Sequence, residues 1–295
     1  MSLNARTASK LFNSGKLSAL ADGDLSFVRK VAKDYLGVSS GSLNVSEVYE
    51  SAYKQLSKDY RAEYYFKNTI ANKVLLGRHS LNTAVMLSEF RVGKSKADCV
   101  VINGKSTCYE IKSDYDNLSR LEEQLNDYLG LFDEVYVVCS QKHLHTVLDA
   151  TDPSVGVIEL TQRNNLSVKR KASHRVKPID VDLMIKSLRK DEYTLLVERA
   201  TGQIPSVPNS RLMTSCRQVL RDLEPSIIAN CFIDVLKEKR FNDSSLINAL
   251  PKILVNAAIS YQFSRSQADS LKRIFCTSEE SRCTYPTLEE SNLSC

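Results

Sequence analysis

The chain has 295 residues, 42% of them hydrophobic and 25% charged, with a formal net charge of +5. That is room for one good-sized core, or for a compact catalytic domain with helical additions, and so mild a charge does not by itself imply a polyanion partner. No apolar run approaches the ~18 residues of a membrane span, and Met1 to Lys16 lacks an apolar core of signal-peptide length, so a cytoplasmic protein without a membrane partner is expected.

Residues 1–24 are polar, small and loosely patterned, and partial disorder is expected there. Phe27, Val28, Val31, Ala32, Tyr35 and Leu36 recur at helical spacing within Leu25 to Leu36, and a Gly/Ser stretch from Gly37 to Ser42 then breaks the chain. Ser46 suits the N-cap of a longer helix, because Val48, Ala52, Leu56 and Tyr60 follow at four-residue intervals. Tyr49, Tyr53, Tyr60, Tyr64, Tyr65 and Phe66 crowd this region. They suit aromatic packing or the stacking of nucleic-acid bases. A helix from about Arg61 to Leu76 is predicted to end at Gly77, a good C′ residue.

Three short strands follow, at 84–91, 97–102 and 107–112. A helix comes next, with Ser119 and Glu122 in capping-box spacing and an apolar stripe of Leu118, Leu121, Leu125, Tyr128 and Phe132. Glu134 to Cys139 reads as a buried strand and Gly156 to Leu160 as another. This order predicts an α/β core with a mixed sheet flanked by helices. From Arg163 to Lys177 the chain carries six Lys/Arg and no acidic residue, and residues 180–275 read as helices interrupted by a Pro/Ser/Asn stretch from Gln203 to Ser210. The expected divisions are an N-terminal helical extension (1–60), the core (61–162), a basic linker with a helical C-terminal region (163–275) and a frayed tail (276–295). Eight cysteines show no C-x-x-C spacing and three, Cys99, Cys108 and Cys139, lie in apolar runs. They point to a reducing compartment, without a disulfide framework or a zinc or iron–sulfur site.

The chemistry concentrates between Lys96 and Tyr128. Asp98 lies in one apolar strand, and Glu110 and Lys112 lie two positions apart in the next, so the latter two project from one face while Tyr109 and Ile111 project from the other. Two carboxylates and an ammonium on an otherwise buried strand pair are costly unless they bind something, and a divalent metal is expected. A two-residue turn at Asn103-Gly104 would send Asp98 and Glu110 to opposite faces. A three-residue loop, Ile102 to Gly104, with Gly104 left-handed, would pair Asp98 with Cys108 and restore a common face. That loop, or another bulge with the same effect, is predicted.

Asp98 followed by Glu110-Ile111-Lys112 resembles the PD-(D/E)xK nucleases of the restriction-endonuclease-like superfamily in order, spacing and strand context, with Ala97 where a proline is usual. Gln124 and Tyr128 match the Q-x-x-x-Y element of its recombination-nuclease branch. The text Y-E-I-K-S-D-Y-D-N-L-S-R-L is similar to a group of bacterial members with little assigned function. The resemblance covers roughly residues 60–200. It implies a restriction-endonuclease-like core and a Mg²⁺-dependent nuclease, with Mn²⁺ as substitute. The metal would be held by Asp98, Glu110 and the Ile111 carbonyl, with Glu89 engaging it through water. Lys112 would serve the attacking water and the phosphate, and Gln124 and Tyr128 would complete the catalytic set.

Lys169, Arg170, Lys171, Arg175 and Lys177 would track nucleic acid, DNA above all, or simply form a solvated surface. Each site residue also has a bland reading: Glu89 as a salt-bridge partner, Gln124 as a structural hydrogen bond. The implied setting is bacterial defence or mobile-element biology. The alternatives are a catalytically silent nucleic-acid-binding module on the same fold, or a protein acting through partners. The C-terminal helices suit a protein partner, and cutting two strands would favour a homodimer.

Overall fold

The computed structural model describes residues 4–38 and 44–275; the tail expected to fray, 276–295, lies outside the described residues. The helices before the sheet are α1 (Ala5–Ala8), α2 (Ser14–Ala21), α3 (Ser26–Asp34), α4 (Val45–Asp59), α5 (Glu63–Ile70) and α6 (Leu76–Arg78). The strands are β1 (Val85–Val92), β2 (Ser95–Ile102), β3 (Ser106–Lys112), β4 (Glu134–Cys139), β5 (Gly156–Leu160) and β6 (Leu166–Arg170). Helices α7 (Leu121–Leu129) and α8 (Leu144–Ala150) connect strands. Then come α9 (Val181–Ser187), α10 (Lys190–Thr201), α11 (Asn209–Arg221), α12 (Pro225–Lys239), α13 (Ser244–Ala249), α14 (Val255–Ser260) and α15 (Arg265–Phe275). None of the described helices is long and apolar enough to cross a membrane.

The chain forms two compact units, Lys73–Asn242 and Met1–Asn72 with Asp243–Cys295. This differs from the divisions expected from sequence, because side chains near residue 70 are hydrogen-bonded to backbone near residue 255. Asn68 Nδ2 donates to the Lys252 carbonyl (3.0 Å) and Asn68 Oδ1 accepts from the Asn256 N–H (3.0 Å), while the Tyr64 hydroxyl donates to the Ile253 carbonyl (2.8 Å). Residues 4–24 are helical over most of their length, not disordered, since Leu11, Phe12, Leu17 and Leu20 are all buried. The early tyrosines pack. Phe12 stacks on Tyr64 at 5.0 Å and meets Tyr49 edge-on at 5.5 Å, and Tyr53 stacks on Tyr65 at 5.1 Å. Asn44, not Ser46, caps α4, through a reciprocal pair with Glu47 (2.9 and 3.0 Å). The helix beginning at Glu63 widens into a π turn over Ala71–Leu75 and runs through Gly77 instead of stopping there.

In the other unit the six strands form one mixed sheet in the order β1-β2-β3-β4-β5-β6, with β3–β4 and β4–β5 parallel and the other pairs antiparallel. Val85, Leu87, Val100, Ile102, Cys108, Val135, Val137 and Val157 share a core with Leu121, Leu125 and Tyr128 of α7 and with Met184, Leu196, Phe232 and Leu236 of α9, α10 and α12. Each such large side chain contributes about 1.5–3 kcal/mol of burial. Glu192, wholly buried on α10, receives the Arg240 guanidinium on both oxygens (2.6 and 2.7 Å), tying α10 to the end of α12. The edge of β1 is covered at one point by Asn242, whose amide accepts from the Met86 N–H (2.8 Å) and donates to its carbonyl (2.9 Å) as a neighbouring strand would.

Strand β6 falls in the stretch expected to be a linker. Asn164, at φ +58°, turns the chain after β5, and the Thr161 N–H donates to the Asn165 carbonyl (2.9 Å) to close the hairpin.

Candidate functional site

The site is built where β1, β2 and β3 run side by side. Between β1 and β2 the register pairs Ser88 with Cys99 and Phe90 with Ala97, which sets Glu89 across from Asp98. At that level the ladder is interrupted, because Glu89 has φ +57°, a left-handed conformation uncommon outside glycine. Val85 and Leu87 precede it and Phe90 and Val92 follow it, yet all four lie in one core. Odd positions therefore face inward before Glu89 and even positions after it.

Between β2 and β3 the pairs are Cys99 with Tyr109 and Ile102 with Ser106. The loop has three residues, as expected, but they are Asn103 to Lys105, with the Asn103 N–H on the Lys105 carbonyl (2.9 Å) and Gly104 at φ +69°. Cys108 consequently pairs with Val100, not with Asp98, and the same register carried one residue further sets Asp98 opposite Glu110. The slip is two residues, an even number, so the common face is kept. Asp98 and Glu110 both push up the Tyr128 hydroxyl and the Cys108 thiol, adding to the larger effect of burial, which places both carboxylates near those two groups.

The contacts are close. Lys112 Nζ donates to Glu110 Oε1 (2.8 Å) and to Gln124 Oε1 (2.9 Å), and the Tyr128 hydroxyl donates to Glu110 Oε2 (3.0 Å). Gln124 and Tyr128 are four residues apart on α7, hence on one helix face. Asp98 Oδ2 accepts the Ile111 N–H (2.7 Å). Lys112 sends its carbonyl toward β4, to the Ser140 N–H (3.0 Å), so the preceding carbonyl, that of Ile111, points toward β2 and Asp98. Glu89 is exposed and ion-paired with Lys96, Asp98 is partly buried, and Glu110 and Lys112 are 2% and 7% exposed. Burial, the dominant influence, pushes the Glu110 carboxyl up, and the Lys112 ammonium beside it pulls the other way.

The structure thus brings Asp98, Glu110, Ile111, Lys112, Gln124 and Tyr128 together, with Glu89 at the exposed margin. The capping box expected at Ser119 is absent: Arg120 occupies the N-cap of α7 without a side-chain bond, and the Ser119 hydroxyl donates to Asn117 instead (2.5 Å). The loop after Lys112 is pinned by Asp116, which accepts the Ser113 N–H (2.7 Å) and hydroxyl (2.6 Å).

A residue not singled out from sequence, Glu159, falls in the same cross-strand row as Lys112 through Cys139, roughly 10 Å away at the usual strand spacing. Its signal was an acid inside the otherwise apolar run V-I-E-L. It is held by Lys169 at 2.9 Å.

The basic residues separate into two kinds. Arg170 donates to the carbonyls of Val155 (2.7 Å) and Leu148 (3.1 Å) and to the Thr151 hydroxyl, so it fastens the end of α8 to β5. Arg175 pairs with Asp133 at 3.2 Å. Lys171 and Lys177 are exposed.

Comparison with known proteins places the chain in a phage family. "Protein cII" of Enterobacteria phage P4 is 38% identical over 93 residues, a match covering 31% of this chain and 35% of that one, so the chain matches about a third of that relative's length. A solved protein of unknown function from Silicibacter pomeroyi aligns with 32% of this chain and 62% of its own at 16% identity, with a TM-score of 0.26, which fixes neither fold nor function. The family described as bacteriophage P4 protein cII matches residues 56–262, and the chain belongs to that family.

Proposed function

We propose that this chain is a metal-dependent nuclease on a restriction-endonuclease-like core, hydrolysing phosphodiester bonds in DNA. The observation that carries the reading is the gathering of Asp98, Glu110, Lys112, Gln124 and Tyr128 at the carboxyl end of β3, with carboxylates ranging from exposed Glu89 to buried Glu110. The donors suit a hard cation, being carboxylate oxygens of Asp98 and Glu110, the Ile111 carbonyl, and Glu89 at the margin. A Mg²⁺ or Mn²⁺ ion there would neutralise charge developing on the phosphate and activate a water. Lys112 offers an ammonium to a phosphate oxygen or to the attacking water. Gln124 and Tyr128 act as positioning residues, holding Lys112 and Glu110. Membership in a phage protein family supports a setting in mobile-element biology or defence, in the cytoplasm of a bacterial host.

One observation favours a second reading. Glu110 and Lys112 are nearly fully buried and neutralise each other. A catalytically silent nucleic-acid-binding or partner-binding module would keep that pair as a core contact, whereas a nuclease must free Glu110 for the cation. The test is incubation of wild-type and Lys112→Ala protein with linear, circular and single-stranded DNA and with RNA, in Mg²⁺ and in EDTA. Cleavage by the wild type in Mg²⁺ alone supports the nuclease. Cleavage in EDTA or by the variant refutes the mechanism, and nucleic-acid binding without cleavage selects the second reading.

A further inference from the structure

We propose that the sheet-bearing unit carries a second ligand site, a groove for a phosphate monoester of nucleotide size, at the end of the sheet remote from Lys112. The groove has a volume of about 450 Å³, within the range of small-ligand sites. It is lined by the β2–β3 loop at Lys105, by Asp133, by the strap His174 to Pro178 and by α12. Asp133 immediately precedes β4, and Cys139, the partner of Lys112, ends it. Six residues of strand separate the two places by roughly 20 Å. The inference does not rest on the nuclease reading.

Four features give the groove its chemistry. Pro225, Ala229 and Ile233 recur at helical spacing along α12, so the groove follows one helix face for about 12 Å from its N-terminus. That terminus has Pro225 in its first turn and no side-chain cap from Glu224, leaving partial positive charge suited to an oxyanion. The Arg175 side chain is 9% exposed and lines the groove; its Nη2 holds Asp133 and its Nη1 donates to the Lys177 carbonyl (2.5 Å), while its buried Nε has no hydrogen-bond partner. Lys177 is exposed and makes no salt bridge among the described residues, with Asp152 the acid that feels its charge.

The remaining charges are already committed. Asp133 accepts the Ser106 N–H (2.8 Å) and hydroxyl (2.9 Å) as well as Arg175, and Lys105 is held by Glu134 at 2.5 Å. His174 contacts the Arg175 carbonyl through Nδ1 (3.2 Å). The phosphate would therefore sit between Lys177, Arg175 and the start of α12, and the apolar side of Val176, Ala229 and Ile233 would take the rest of the ligand. Val176, 95% exposed beside this groove, gains a partner in that arrangement.

The experiment uses the full chain in EDTA, with thermal unfolding and calorimetric titration against adenosine monophosphate, inorganic phosphate, adenosine, and a trinucleotide with and without a 5′-phosphate. The phosphate-bearing ligands should bind and adenosine should not. Lys177→Gln should weaken them roughly tenfold, the usual scale for one charge-assisted hydrogen bond. Ala229→Leu, which fills the groove, should abolish nucleotide binding. Lys177→Gln is a surface change and carries the test even if Ala229→Leu fails to fold. Binding of the mononucleotide alone identifies a free nucleotide as the source, and a gain by the phosphorylated trinucleotide identifies a nucleic-acid end. The proposal is overturned if no phosphate ligand binds at millimolar concentration, if Lys177→Gln leaves affinity unchanged, or if Lys112→Ala removes the binding under conditions where thermal unfolding shows that variant folded.

Discussion

Replacing Lys112 with methionine keeps the volume of the side chain and removes its charge, leaving the Glu110 carboxylate at 2% exposure with Tyr128 and Gln124 as its remaining donors. Breaking one side of a buried ion pair typically costs about 3–5 kcal/mol when the stranded charge persists. Here the charge has an escape. Burial already raises the Glu110 carboxyl above its ordinary value of 4.5 while Lys112 lowers it, so removing Lys112 raises it further and the folded variant takes up a proton. An acid whose folded pKa lies above its unfolded one contributes stability that is fully present below the unfolded value and lost as pH rises through the folded value. The penalty of Lys112→Met should therefore be small near pH 4.5 and reach its full size only at pH above the raised folded value.

Urea unfolding of the wild type, Lys112→Met and the double variant Glu110→Gln/Lys112→Met at pH 5 and pH 8 measures this. The single variant should lose more at pH 8 than at pH 5, and the double variant should recover most of the loss with little pH dependence. A loss of equal size at both pH values, unrepaired by Glu110→Gln, would refute the assignment of the cost to the stranded carboxylate. The same variants report on the proposed cation. At a hundred times its dissociation constant, Mg²⁺ would return about 2.7 kcal/mol to Lys112→Met at pH 8 and none of it to the double variant.

Three further outcomes are expected. Glu89→Gly suits the left-handed backbone (φ +57°) and should leave the melting temperature unchanged or raise stability by up to about 1 kcal/mol, while weakening any Mg²⁺-induced shift in thermal unfolding. Gly156→Ala would set a Cβ 2.2 Å from the Tyr136 ring and 2.7 Å from the Ala172 nitrogen, so chemical unfolding should show a loss of at least about 1–3 kcal/mol. Arg240→Ala leaves the wholly buried Glu192 without its guanidinium and should cost about 3–5 kcal/mol, with much of the loss restored by adding Glu192→Gln.

Much of the core is legible in the sequence. β4 and β5 match their predicted bounds because a parallel strand covered on both faces is a continuous apolar run with few competing readings. The common facing of Asp98 and Glu110 was also legible, since only an even slip preserves it, and a three-residue loop around Gly104 supplies one. β6 was missed: L-S-V-K-R is short, basic and half exposed, and its signal was the turn at Asn164-Asn165 that precedes it. The helices within residues 5–21 were missed because small and polar residues dilute the pattern of Leu11, Leu17 and Leu20.

By itself, then, the sequence determined the strands β1 to β5 and the longer amphipathic helices through apolar periodicity, and which polar groups share a strand face, through alternation. Tertiary structure decided everything that depends on what packs across those faces. It set Glu110 in a closed pair with Lys112 rather than open to solvent, gave Arg170 to the end of α8 and Arg175 to Asp133, and joined residues 243–275 to the N-terminal helices. The reason is physical: a side chain's own type fixes its charge and hydrogen-bonding capacity, but burial and partners, which set what that capacity does, come from residues far away in the chain.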